Sequence, residues 1–144
     1  MPTARGFALA ALALLAGCGT PVGTNYTAMS VSMPAVKPGE GRVFFYTPGV
    51  RFGADVQPEI RLDGTVVGFA VPSGFFYVDR PAGRYEATGK AAADGRIEIP
   101  LAAGETRYVR AFAPSAFSVN AVHFLLVPAP EGQADMAGLV YSGQ

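Results

Sequence analysis

The sequence predicts an all-β fold: an antiparallel β-sandwich of about eight strands occupying residues 42–144. Three observations carry this. The 144 residues include 18 Gly and 12 Pro, and these punctuate short apolar runs at spacings near ten residues. Asp63-Gly64 stands between two such runs, and Asp-Gly suits a type I′ hairpin because both central residues need positive φ. Beyond residue 18 no stretch of useful length carries a 3.6-residue apolar stripe.

Residues 42–47, RVFFYT, are aromatic and β-branched, and Pro48-Gly49 stops them. Residues 58–62 and 65–71 flank the Asp63-Gly64 turn. Residues 75–79 lead to Pro81-Ala82-Gly83, read as a turn, and residues 84–90 follow. Asp94-Gly95 marks another reversal. Residues 96–101, RIEIPL, alternate: Ile97, Ile99 and Leu101 share one face, Arg96, Glu98 and Pro100 the other. Pro100 donates no ladder hydrogen bond, which places this strand at an edge. Ala103-Gly104 turns the chain into residues 105–112. Residues 119–127 form the longest apolar run of the domain, apolar on both faces, and read as a central strand. The expected core is Val43, Phe45, Ile60, Leu62, Val67, Phe69, Tyr85, Ile97, Ile99, Leu101, Val109, Phe124 and Leu126.

Residues 1–41 differ. Arg5 precedes an unbroken apolar run of ten, Phe7 to Ala16. A bilayer span takes about 20 residues, so the run suits the h-region of a signal peptide instead. It ends in Leu15-Ala16-Gly17-Cys18. These four residues resemble a bacterial lipobox. The resemblance implies a signal peptide over residues 1–17, cleavage before Cys18, a diacylglyceryl group on its thiol and an acyl chain such as palmitate on its amine. Two or more chains anchor durably, because each buried CH₂ contributes about 0.8 kcal/mol. Gly19 stands where Asp is the usual inner-membrane retention signal, which by analogy points to the outer membrane, on its periplasmic face. Residues 18–41 then comprise the lipidated cysteine and a flexible tether rich in Gly, Pro, Ser and Thr. Asn25-Tyr26-Thr27 matches the N-glycosylation pattern, but such a protein is not expected to meet that machinery.

The strand and turn residues carry a second resemblance. Gly41-Arg42-Val43-Phe44-Phe45-Tyr46, Leu62-Asp63-Gly64 with Val67-Gly68, Gly74-Phe75-Phe76-Tyr77 and Pro81-Ala82-Gly83-Arg84-Tyr85 together resemble a family of bacterial envelope proteins of unknown function, the DUF2846 type, and similar layouts occur in PEGA-like and other Ig-like sandwich modules. The resemblance spans roughly residues 41–127. It implies a sandwich, an envelope location and a binding or structural role, and it carries no catalytic residues.

Composition excludes several functions. Eleven basic and eleven acidic side chains balance, with no basic cluster. Nucleic acid is therefore not an expected partner. Without Arg5 the mature chain would carry a formal charge of −1. One cysteine permits no internal disulfide, and one histidine with one cysteine cannot supply a structural zinc site. The acids are scattered, with no Asp-x-Asp pattern for calcium; Asp55 and Glu59 read as solvated charges. Residues 83–91 miss the phosphate-loop pattern by one residue of spacing and by ending in Ala91. No metal, cofactor or catalytic residue is expected. His123 would have to serve any Ser-His-Asp arrangement; on an apolar strand it reads as a packed histidine.

Two aromatic runs remain, Phe44-Phe45-Tyr46 and Phe75-Phe76-Tyr77. Alternation cannot bury all three residues of a run on one face. Either both sheet faces are covered, or some rings form an exposed partner site, for which Tyr46, Phe76 and Phe112 are the candidates. The leading expectation is a non-catalytic interaction or structural module, held to the membrane by its lipid and facing an envelope protein. The alternative is a carrier of a small apolar ligand between the sheets. An enzyme with a minimal site around His123 comes third.

Overall fold

The computed structural model describes residues 23–49, 57–115 and 121–144. Among them, nine strands form two sheets facing one another: a β-sandwich, as the turn chemistry predicts. The strands are β1 (Glu40–Thr47), β2 (Glu59–Leu62), β3 (Thr65–Phe69), β4 (Gly74–Pro81), β5 (Gly83–Thr88), β6 (Arg96–Leu101), β7 (Thr106–Phe112), β8 (His123–Val127) and β9 (Val140–Tyr141). The five-stranded sheet has the order β8-β7-β1-β4-β9 and the four-stranded sheet β3-β2-β5-β6. The described residues also form two helices, α1 (Tyr26–Ser30) and α2 (Ala129–Met136).

Local chemistry sets the connections. Asp63 and Gly64 have φ of 49° and 82°, the type I′ geometry that joins β2 to β3. The Asp63 carboxylate also accepts from the Glu86 amide at 2.7 Å, tying the hairpin to β5. Pro81-Ala82-Gly83 is the corner where the chain leaves one sheet for the other. β6 is an edge strand, as Pro100 requires.

The core between the sheets takes Val43, Phe45, Phe76, Val109 and Ala111 from one layer and Ile60, Leu62, Ala87, Ile99 and Leu101 from the other. Of the expected core, Val43, Phe45, Ile60, Leu62, Ile99, Leu101 and Val109 are buried. Val67, Phe69, Tyr85, Ile97, Phe124 and Leu126 are half-buried.

Three expectations need correction. The sandwich is not wholly antiparallel: β1 pairs parallel with β7, and β4 with β9. β8 is an edge strand, not the central one. The central strand is β1, buried on both faces from Gly41 to Thr47. Of the two alternatives for the aromatic runs, the covered sheet face holds: α1 and α2 lie over the outer face of the five-stranded sheet, and a second apolar cluster forms there, Met29, Phe44, Tyr46, Phe75, Tyr108, Val127, Met136 and Leu139. Third, the predicted tether is part of the fold from Gly23 onward. Asn25 caps α1, its side chain accepting from the Ala28 amide at 2.8 Å. Met29 is buried, and the Tyr26 ring lies edge-on to Phe44 and Phe75 at 5.7 and 5.4 Å.

Candidate functional site

The sequence offers five positions to place: Cys18, Tyr46, Phe76, Phe112 and His123. Cys18 lies outside the described residues, as does Asp55.

Tyr46 and Phe76 are buried and form no exposed patch. Phe76 is buried and stacks on Phe45, with ring centroids 5.2 Å apart, inside the sandwich. Tyr46 is buried on the opposite face of the sheet, beneath α2. Its hydroxyl donates to Asp135 Oδ2 at 2.7 Å. Arg110 also donates to Asp135, from Nε at 3.1 Å and from Nη2, and reaches Glu131 at 2.6 Å. Burial pushes the Tyr46 phenol well above its ordinary value, and its hydrogen bond to Asp135 adds to the shift. Burial raises the Asp135 carboxyl too, but the Tyr46 hydroxyl and the Arg110 guanidinium outweigh it and hold that carboxyl below its usual range.

This polar cluster explains how α2 is held. Only Gly132 and Met136 of the helix are buried, too little apolar surface to fix eight residues. Two acids one turn apart, Glu131 and Asp135, grip one arginine instead. Sequence reasoning missed α2, although Pro130 and Glu131 in its first turn were an available signal. Two prolines and Gly132 within five residues have the composition of a loop and mask that signal. A second arginine does similar work at the other end of β1. Arg42 donates to both Asp79 oxygens at 2.7 and 2.8 Å and to the Pro34 carbonyl at 2.9 Å, and lies 4.2 Å over the Tyr77 ring.

Phe112 and His123 occur together. They are register partners across β7 and β8, half-buried, with rings 6.1 Å apart and edge-on. Leu125 shares their face of β8 by alternation and is 46% exposed, one of four large apolar side chains left substantially in solvent among the described residues. The three lie together on one face of the β7–β8 pair.

His123 Nε2 lies 3.3 Å from the Ala93 carbonyl, a packed position at the start of an edge strand. Asp94 is committed as well: it accepts from the Ala91 and Val122 amides at 2.6 and 2.9 Å, fastening the 89–95 loop to the start of β8. Two clefts, of about 480 and 320 Å³, flank this loop and share Lys90, Ala91 and Asp94. Glu59, at the rim of the larger, pairs with Arg61 at 2.8 Å and Lys90 at 3.6 Å. Arg61 foremost lowers its carboxyl. Acids that already hold cations in this way are poor ligands for a metal. Among the described residues no three His, Cys, Asp or Glu gather in a cation-binding group, and no helix is long and apolar enough to cross a membrane. Comparison with known proteins finds no family model, no curated protein and no solved structure that matches this chain.

Proposed function

We propose that the protein is a bacterial lipoprotein, anchored through Cys18 on the periplasmic face of the outer membrane, whose sandwich acts as a non-catalytic interaction or structural module of the cell envelope. Leu15-Ala16-Gly17-Cys18 directly after a ten-residue apolar run carries this reading. The resemblance of the turn motifs to the DUF2846 type agrees with it. Among the described residues, Arg42, Arg110, Asp94 and Asp135 are engaged in holding the fold, which agrees with a structural role. Among the described residues, the surface that suits a protein partner is the pair of half-buried rings Phe112 and His123 with exposed Leu125 beside them on β7 and β8.

Crosslinking in intact cells, followed by mass spectrometry of what is recovered with the lipidated protein, tests the proposal. One protein recovered at comparable abundance, and lost with Leu125→Glu or Phe112→Ser, is the expected result. No enriched protein, together with an apolar small molecule extracted from the purified domain, would turn the reading toward ligand carriage.

A further inference from the structure

The ends of the described chain meet at one edge of the fold. Beyond β9, the Gly23 amide donates to the Tyr141 carbonyl at 2.8 Å, the Tyr141 amide to the Thr24 carbonyl at 2.7 Å, and the Tyr26 amide to the Leu139 carbonyl at 2.9 Å. Asn25 bridges to Val140. The chain leading back to Cys18 is therefore fixed to the domain from Gly23. Four residues, 19–22, separate the two. Five residue steps reach at most about 18 Å, less than the length of an eight-residue strand, about 27 Å.

The chemistry of this edge differs from the rest of the surface. No residue from Gly19 to Val36 carries a charge, and neither does any side chain from Met136 to Gln144. Within them, residues 23–26 pair with residues 139–141. The two segments also hold two of the four exposed large apolar side chains among the described residues, Val31 at 88% and Val140 at 38%. The outer face of the four-stranded sheet is the opposite case. There Arg84 pairs with Glu98, Arg96 with Glu86 and Arg61 with Glu59, a face built to stay in water.

We infer that this uncharged edge, carrying Val31 and Val140, lies against the lipid headgroups, and that the charged face of the four-stranded sheet points away from them. The inference rests on the anchoring of Cys18 proposed above. Lipid chains at Cys18 place the bilayer within about 18 Å of Gly23. Turning a charged face toward the bilayer would strip water from its ion pairs, whereas the side chains of this edge bring no ion pair into the interface. β8 lies four strand spacings from β9, about 19 Å across the sheet. The Phe112–Leu125 surface thus remains open to a partner while the domain rests on the membrane.

The test uses full-length protein purified with its lipid and reconstituted into vesicles of phosphatidylethanolamine with a minority of phosphatidylglycerol. Lipid occupies the Cys18 sulfur, so one introduced cysteine takes an environment-sensitive fluorophore alone. Val31→Cys and Ala137→Cys report the uncharged edge, and Glu98→Cys the charged face. All three side chains are exposed, so folding is preserved and is checked by circular dichroism. The expected result is a blue-shifted emission at positions 31 and 137, several-fold weaker quenching by aqueous iodide than at position 98, and quenching by lipid-borne spin labels at 31 and 137 only. Equal iodide quenching at all three positions overturns the orientation while leaving the anchor intact. A mature chain whose mass shows no lipid overturns the anchoring itself, and this inference with it.

Discussion

Phe44 and Phe45, adjacent in sequence, are buried on opposite faces of β1. Phe45 stacks on Phe76 inside the sandwich, and Phe44 stacks on Tyr108 at 5.4 Å in the outer layer beneath the helices. The domain is therefore three layers deep along this strand. Phe44→Ala and Phe45→Ala should each cost about 3–5 kcal/mol, the usual range for truncating a buried phenylalanine. Urea unfolding of the two variants checks this. A Phe44→Ala cost below about 1 kcal/mol would mean that the outer layer does not exclude water.

The segment before β1 gives a second expectation. Deleting residues 19–22 should leave the thermal midpoint of the mature domain unchanged. Deleting 19–33 should lower it sharply, because Met29 and the Tyr26 ring go with it. Met29→Ala alone should cost about 2–5 kcal/mol. A free tether would make the two deletions indistinguishable.

Acid should weaken the grip on α2. The Asp135 carboxyl sits below its ordinary value in the folded state, so its contribution is present above the unfolded carboxyl value of about 4 and is lost as pH falls through the folded one. Asp135→Asn removes a charged acceptor shared by Tyr46 and Arg110. It should cost about 1–3 kcal/mol at neutral pH and flatten the fall in stability below about pH 4. Denaturant midpoints across that range are the measurement. A wild-type and variant difference that does not change with pH would contradict the charge-based account.

Gly68 marks a close approach between the sheets. A methyl added there would lie 2.6 Å from the Phe76 ring, and that ring is held against Phe45. Gly68→Ala should therefore destabilise by about 1–3 kcal/mol through overpacking. Gly138→Ala, with nothing within 4 Å, should be close to neutral in the same thermal melt.

The strands were legible because alternation and Gly/Pro punctuation are local signals. Ile97, Ile99 and Leu101 share an inward face as their spacing requires, and Pro100 identified an edge. What lay outside local signals was the covering of the second sheet face. Period-2 alternation says that Tyr46 and Phe45 point in opposite directions; it cannot say that α2 and Asp135, some ninety residues later, cover Tyr46. The two helices were hidden for a related reason. α1 has five residues, and α2 is fixed by Arg110 rather than by an apolar stripe, so neither carries a 3.6-residue signature. β8 misled because its apolar residues resemble a central strand, yet Leu125 is left in solvent and the strand has a neighbour on one side only. Of the candidate site, Phe112 and His123 were legible as residues, but their pairing across β7 and β8 was not.

The anchor is the central claim, and the mass of the mature N-terminal peptide from the membrane fraction tests it most directly. The account predicts a peptide beginning at Cys18 and carrying diacylglyceryl and acyl groups, with Cys18→Ala abolishing lipid attachment and membrane retention. A mature chain that begins elsewhere, or that begins at Cys18 with a free thiol, would contradict it.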